Sequence, residues 1–110
     1  MTKKKGNAEM VRHIILWKLK EEFAGDKKQE VLAGIKTNLE ALAGVVPGLL
    51  SIKVNCDNVL ASSNADVMLD SAMESVEALK GYAVHPAHVA AADNFVRPYT
   101  EIRLCLDFEE

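Results

Sequence analysis

The sequence predicts an α+β domain whose elements follow the order β-α-β-β-α-β. Three observations predict this order. Apolar and polar residues alternate with period two in four segments, and an apolar stripe at spacings of three and four separates the first two segments. A second helical stretch, interrupted by His85-Pro86, separates the last two. At 110 residues the chain can bury a single core of modest size, which a partner subunit would extend.

The first element is a strand over residues 11–20. Its even-numbered face mixes cations with Ile14 and Leu16, which indicates a second contact surface rather than free solvent. Residues 1–10 are polar and lack periodicity, so we expect a flexible tail followed by one domain over residues 11–110. The odd-numbered face of the strand is apolar apart from one imidazole: Val11, His13, Ile15, Trp17 and Leu19.

A helix and a hairpin are predicted next. Asp26, with Gln29 three residues later, is typical of an N-cap with its capping-box partner, so we expect the helix to begin there. Its apolar stripe continues to Val46, where a Pro-Gly pair ends it. Strands over residues 49–57 and 65–73 are joined by a short polar loop, and we expect them to pair. Four side chains are expected on the inner face of the first of these strands: Leu50, Ile52, Val54 and Cys56.

The second half of the chain contains two short helices and a final strand. Ser75 is expected to cap the first helix. His85-Pro86 is expected to end it, because a residue before proline resists the helical conformation and proline suits a first helical turn. His85 then caps the next helix, Arg97-Pro98 stops it, and residues 99–108 alternate as a strand. This order is the ferredoxin-like arrangement, a four-stranded antiparallel sheet with helices on one face.

Such a sheet leaves its second face without helices. Ile14 and Leu16 lie on that face, and a half-apolar sheet face needs a cover. A two-fold dimer with the sheets face to face is the simplest cover that one sequence can provide. We therefore expect a homodimer formed through the sheet face.

Composition excludes several partners. The 13 Lys and Arg and the 16 Asp and Glu give a net charge of −3 that is spread along the chain, so we expect no nucleic-acid binding. No apolar stretch approaches the roughly 18 residues of a membrane span, and residues 1–19 do not resemble a signal peptide. We therefore expect a cytoplasmic protein without a membrane partner.

Cys56 and Cys105 are expected to be reduced, small buried residues, with a disulfide as the alternative.

Three segments carry a family resemblance. They are Val11-Arg12-His13-Ile14-Ile15-Leu16-Trp17-Lys18-Leu19-Lys20, then Glu74-Ser75-Val76-Glu77-Ala78-Leu79-Lys80-Gly81-Tyr82-Ala83-Val84-His85-Pro86-Ala87-His88-Val89, and an Arg97-Pro98-Tyr99 turn before a strand that ends in Asp107-Phe108-Glu109. Their order and spacing over residues 11–109 are similar to those of the stress-responsive A/B barrel (Dabb) family. The resemblance implies a dimeric α+β barrel.

The resemblance also implies candidate catalytic residues. One branch of that family contains a plant polyketide cyclase that closes a ring by aldol condensation without a cofactor. Its first-strand His, its Tyr before the His-Pro segment and the second His of its His-Pro-x-His segment correspond to His13, Tyr82 and His88. In that chemistry His88 acts as general base, while Tyr82 orients the imidazole or donates to the enolate oxygen. The branch has a Tyr and a His where this sequence has Leu39 and Val67, so we expect a more apolar pocket.

Each candidate also has a structural interpretation. His88 could bond a backbone carbonyl, His13 could be a satisfied core residue, and Tyr82 could be a packing aromatic. The His85-x-x-His88 spacing would suit a metal, but Asp93 is the sole nearby third ligand, so we expect no metal. The residues expected to line the pocket are Trp17, Leu39, Val67 and His85.

Two functions follow from these observations. The first is a Dabb homodimer of undefined biochemical role that binds a small hydrophobic or aromatic molecule in a cleft between helices and sheet, or acts in the stress response. The alternative is a cofactor-independent, polyketide-cyclase-like lyase of aldol type with His88 as its general base. Neither function requires a cofactor. A cofactor-free monooxygenase on the same barrel has no residue in its favour.

Overall fold

Four antiparallel strands form one sheet in the computed structural model, which describes residues 10–110. The strands are β1 (Val11–Leu19), β2 (Leu49–Asn55), β3 (Val67–Met73) and β4 (Thr100–Glu109). They lie side by side in the order β2-β3-β1-β4. The expected flexible tail falls outside the described residues except for Met10, whose backbone exchanges hydrogen bonds with that of Glu110.

Three helices pack on one face of the sheet: α1 (Lys28–Glu40), α2 (Val76–Val84) and α3 (Pro86–Phe95). Short 3₁₀ turns at Glu21–Phe23 and Arg97–Tyr99 complete the order. The predicted α+β, ferredoxin-like fold is therefore confirmed, with α2 and α3 forming the interrupted second helical region. Among residues 10–110, no helix has both the length and the apolar character that crossing a membrane requires.

The core lies between the helices and the odd-numbered face of β1. All five residues of that face are buried, as their alternation predicts. From α1 the core receives Leu32, Ile35 and Leu39. The β2–β3 hairpin pairs as predicted and adds the fully buried Val54 to the same layer.

The predicted start of α1 is wrong. Asp26 does not cap the helix, which begins at Lys28, and no side chain makes a hydrogen bond at the N-cap position Lys27. Asp26 and Lys27 instead occupy the centre of a turn, closed by a 3.0 Å bond from the Lys28 amide to the Gly25 carbonyl. The capping-box pattern is present in the sequence, but Asp26 lies inside the turn and is therefore not at the N-cap position.

The predicted end of α1 is wrong as well. The helix stops at Glu40, yet Leu42 and Val46 remain buried because a run of tight turns carries them along the core. Gly44 in this run has a φ of +79°, a left-handed conformation that ends regular helix. The apolar stripe therefore predicted burial correctly and helix length incorrectly.

An irregularity in β2 corrects the expected inner face of that strand. The pairing with β3 shifts between Leu49 and Ser51, so Leu50 is an extra residue and is 52% exposed. Leu49 packs against the core in its place. Because a bulge adds one residue to the strand, the residues that precede it point to the opposite side from the one that simple alternation assigns.

Two predicted caps are confirmed in the second half. The Ser75 hydroxyl accepts a 3.0 Å hydrogen bond from the Ala78 amide at the start of α2. The His85 Nδ1 accepts a bond of the same length from the Ala87 amide, with Pro86 in the first turn of α3. The break between α2 and α3 thus has a defined geometry, which sets the direction of α3.

The second face of the sheet is open in the protomer. Leu16 of β1 is 36% exposed, and Leu104 and Leu106 of β4, which pair beside Leu16 and Ile14, are each 62% exposed. Ile102 and Phe108 extend the same face. We call these six residues the open face: Ile14, Leu16, Ile102, Leu104, Leu106 and Phe108.

Candidate functional site

A cavity of about 330 Å³ lies between the helices and the sheet. Residues from β1, β3, α1 and α3 form its apolar walls, with Trp17 as the one large aromatic among them. The polar lining side chains are Tyr82 from α2, His88 from α3, and Arg97, Thr100 and Arg103 around the start of β4. The cavity therefore combines an apolar interior with a small set of convergent polar groups, as is typical of small-molecule sites.

The expected lining residues divide into two groups. Trp17 and Leu39 line this cavity. Val67 does not: it is buried in β3 and borders a separate depression beside the loop between β2 and β3. His85 does not line it either, because its side chain is used in the cap of α3.

Tyr82 contributes a buried hydroxyl that has no hydrogen-bond partner in the part of the chain that the structure describes. The residue is only 1% exposed, and burial raises the pKa of its hydroxyl to about 12, against a smaller opposing effect of the Arg103 charge. The hydroxyl therefore stays protonated at neutral pH. Leaving such a group unpaired costs about 1–3 kcal/mol, so it is a natural donor to a bound ligand or water.

His88 lies directly against Tyr82. The two rings have centroids 4.2 Å apart and planes inclined by 36°. The Nδ1 of His88 is 3.2 Å from the Ala83 carbonyl oxygen, and since a carbonyl can only accept, Nδ1 carries the proton. Nε2 consequently keeps its lone pair. Burial also lowers the pKa of His88, so the neutral, basic form predominates at neutral pH.

His13 also contacts the Tyr82 ring and is 6% exposed. Its ring meets the Tyr82 ring edge to face, with centroids 5.8 Å apart, and it is not among the residues that line the cavity. Both histidines of the candidate catalytic set thus contact the Tyr82 ring. Tyr82 and His88 line the cavity, whereas His13 packs against Tyr82 and does not line it.

Asp107 and Cys105 are neighbours of His13 that the sequence did not identify as candidate site residues. The Asp107 Oδ1 lies 2.5 Å from the His13 Nδ1, because the register of β1 and β4 places the two residues opposite each other. Cys105, expected to be a small buried residue, is exposed and unpaired, and its Sγ is 3.5 Å from the same carboxylate oxygen. Burial, followed by the charge of Asp107, raises the pKa of the Cys105 thiol, so it is not an activated nucleophile.

Arg97 and Arg103 add positive charge to the cavity. Arg97 forms an ion pair with Asp93 at 3.5 Å, with both side chains more than half exposed. Arg103 stands opposite Trp17 in the β1–β4 register and forms no salt bridge within residues 10–110. The alternation of the final strand already places Arg103 on the helix-facing side of β4. A cation on that side was the sequence signal that could have identified Arg103 as a lining residue.

Comparisons with known proteins agree with this geometry. The sequence model of the Stress responsive A/B Barrel Domain family matches residues 11–110. An uncharacterized protein of Streptomyces coelicolor is 33% identical over 74% of this chain and 81% of its own. Olivetolic acid cyclase of Cannabis sativa is 28% identical over 89% of this chain and 94% of its own. A dimeric protein of unknown function with a ferredoxin-like fold from Bacteroides fragilis superposes with a TM-score of 0.85 at 31% identity, covering 93% of this chain and 97% of that one.

Proposed function

Since this chain belongs to the stress-responsive A/B barrel domain family, we propose that it binds a small organic molecule in the cavity and moves a proton on it without a cofactor. One observation carries the proposal. The Tyr82 hydroxyl is buried at the cavity wall, has no partner among the described residues, and lies beside an imidazole whose Nε2 lone pair is free. The likeness to a plant cyclase over most of both chains supports the same kind of chemistry.

The proposed step is proton abstraction next to a carbonyl group. Nε2 of His88 takes the proton from the α-carbon, and the electron pair of that C–H bond moves toward the carbonyl oxygen. The protonated Tyr82 hydroxyl then donates a hydrogen bond to the oxygen as its negative charge develops. The resulting enolate can attack a second carbonyl of the same molecule, which is an aldol closure. The proton held on Nε2 returns to the new alkoxide, so no redox partner is needed.

The lining indicates the class of molecule. A volume of about 330 Å³ is at the small end of ligand pockets, and the walls are largely aliphatic. Arg103, which has no salt-bridge partner within residues 10–110, supplies a positive charge at the same cavity. We therefore propose a compact ligand that is mainly apolar or aromatic and carries one anionic group, such as a carboxylate.

The open face supports a homodimer as the working assembly. Its Leu104 and Leu106 side chains remain 62% exposed in the protomer, and large contiguous apolar patches of this kind mark interaction surfaces. A second copy placed face to face would bury them. The similar Bacteroides fragilis protein is described as dimeric, which supports the same arrangement for this chain.

Two measurements on one set of variants test the function. The first is calorimetric binding of 2,4-dihydroxybenzoate, a small aromatic acid with a phenolic hydroxyl. The second is deuterium exchange, followed by proton NMR in D₂O, at the α-carbon of the β-keto thioester S-ethyl acetothioacetate. The variants are Tyr82→Phe and His88→Asn, with Tyr99→Phe and His85→Asn as matched controls, because asparagine retains an oxygen that can cap α3.

We expect the wild-type chain and both controls to bind the acid and to accelerate exchange above the buffer rate. Tyr82→Phe should weaken binding by about tenfold, since it loses one charge-assisted or neutral hydrogen bond worth about 1–2 kcal/mol. His88→Asn should bind but reduce the accelerated exchange by 100-fold or more. Exchange that is unaffected by His88→Asn would refute the role of the base. If the wild-type chain binds the acid but does not accelerate deuterium exchange, the proposed catalysis is refuted and ligand binding alone remains as the function.

A further inference from the structure

A second group of chemically competent side chains lies among residues that do not line the cavity, next to the His13–Tyr82 contact. The Nδ1 of His13, the Sγ of Cys105 and a carboxylate oxygen of Asp107 all lie within 4.8 Å of one another. Adjacent strands create this trio: His13 pairs opposite Asp107, and Cys105 lies two residues earlier on the same face of β4. We propose that His13, Cys105 and Asp107 form a binding site for a zinc-class divalent cation.

Two of the three distances between donor atoms are close to those around a tetrahedral ion. Zinc bonds of about 2.0–2.3 Å to nitrogen, oxygen and sulfur place neighbouring ligand atoms about 3.3–3.7 Å apart. Sγ of Cys105 is 3.5 Å from the Asp107 oxygen and 3.9 Å from the His13 nitrogen. The nitrogen and the oxygen are 2.5 Å apart and would have to separate by roughly 0.8 Å to reach that geometry. The Asp107 side chain is 40% exposed, so its rotation meets little resistance.

The arrangement differs from that of a nucleophilic relay. In a Cys-His-Asp relay the thiol and the carboxylate lie against opposite nitrogens of the imidazole. Here both approach the same atom, Nδ1 of His13. Three donors that converge on one point can share a cation but cannot pass a proton along a line. Binding of the ion releases the thiol proton to solvent. The Nδ1 of His13 also gives up the proton that it donates to Asp107, and the imidazole then carries a proton on Nε2 alone, so three lone pairs face the metal.

The donor set selects the ion. A mixed nitrogen, sulfur and oxygen site favours zinc-like cations over Mg²⁺ and Ca²⁺, which prefer oxygen ligands. Three protein ligands leave a fourth position open for water or another ligand. Cys105 and Asp107 are both exposed in the protomer, so the ion can enter without disturbing the core. The site uses neither residue of the proposed proton-transfer pair and stands independently of that function.

Cobalt provides a direct spectroscopic test on the intact, tag-free chain after chelator treatment. Co²⁺ bound through a thiolate gives a charge-transfer band in the near ultraviolet and intense visible bands if it is tetrahedral. We expect one equivalent of Co²⁺ to produce these bands and Zn²⁺ to remove them by displacement. Cys105→Ser should abolish the charge-transfer band, and Asp107→Asn should weaken Co²⁺ binding by tenfold or more. Cys56→Ser is the matched control and should retain the full spectrum.

Thermal unfolding supplies a second readout that does not depend on activity. A cation that binds the folded state alone raises the midpoint, so Zn²⁺ should raise the Tm of the wild-type chain and of Cys56→Ser. It should leave Cys105→Ser unchanged, provided circular dichroism shows that variant to be folded. Absence of the charge-transfer band in the wild-type chain, or its persistence in Cys105→Ser, would overturn the site.

Discussion

The aromatic ring of Tyr82 and the imidazole of His88 stack with centroids 4.2 Å apart across the break between α2 and α3. Pro86 causes that break, because it lacks the amide that a continuous helix would need and is best placed in a first turn. In an unbroken helix, residues six positions apart lie about 120° apart around the axis and about 9 Å apart along it, too far for their rings to be in contact. The restart at Pro86 therefore creates the pair on which the proposed chemistry depends.

Removing the Tyr82 hydroxyl should not weaken the fold. Tyr82→Phe deletes a buried group that has no partner among residues 10–110, so no intramolecular hydrogen bond is lost. We expect the free energy of unfolding in urea to stay the same or rise by about 1 kcal/mol, because an unmet desolvation cost disappears. Tyr99→Phe provides the baseline for a tyrosine outside the cavity. A loss greater than about 1 kcal/mol in Tyr82→Phe would mean that bound water satisfies the hydroxyl.

The imidazole of His88 should titrate below its ordinary pKa. Burial lowers the pKa of His88 in the folded chain, so the unfolded chain binds more protons as the pH falls below about 6.5. Stability therefore declines in that window as the pH falls through the folded-state pKa. We expect His88→Asn, which cannot take up the proton, to lose less stability than the wild-type chain between pH 7 and 5. Chemical denaturation across this range measures the difference, and equal losses would contradict it.

Gly48 should be the least replaceable of three glycines. It has a φ of +81°, and an added Cβ would lie 2.6 Å from the Ala78 Cβ, so Gly48→Ala combines backbone strain with a clash. Gly44 has a φ of +79° in open space, and Gly25 has neither constraint. We expect a cost of about 1–2 kcal/mol for Gly44→Ala, more for Gly48→Ala, and a change within about 0.5 kcal/mol for Gly25→Ala. Urea unfolding of the three variants would show the order of these losses in stability. Equal losses for Gly44→Ala and Gly48→Ala would contradict the predicted clash with Ala78.

The open face should control the oligomeric state. We expect light scattering to report a dimer for the wild-type chain at micromolar concentration and a monomer for Leu104→Glu/Leu106→Glu. Two carboxylates in an apolar interface would be buried without partners, at a cost of several kcal/mol. Val84→Glu is the matched control, because Val84 is 75% exposed on the helix side. A wild-type monomer, or a dimer that survives both Leu substitutions, would locate the interface elsewhere.

Local signals in the sequence predicted most of the fold. The alternation of β1, the Ser75 cap and the His85-Pro86 break each depend on residues within one turn or one strand, and each is confirmed. The errors arise where a second local pattern or the pairing of strands overrides the first local pattern. Asp26 satisfies both a capping box and a turn, and the turn forms. Leu50 follows the period of its strand, but a shift in pairing turns it outward.

The candidate site was less predictable because it depends on pairing across the whole chain. Neighbouring spacing placed Tyr82 beside His88, whereas the contact between His13 and Asp107 joins residues 94 positions apart. Arg103 reaches the cavity for the same reason, through its register with Trp17. A one-residue slip of β4 would replace Arg103, Cys105 and Asp107 on the helix-facing side with Leu104, Leu106 and Phe108. Sequence alone did not fix that register.

The strand order has a consequence for the time at which the cavity forms during synthesis. β1 lies between β3 and β4, so the first strand made must wait for the last strand to complete its pairing. Trp17 in the first strand receives its Arg103 neighbour only after the fourth strand has left the ribosome. A nascent chain stalled before Thr100 therefore holds Tyr82 and His88 but no closed pocket around them. The proposed ligand binding therefore begins only after β4 has paired with β1.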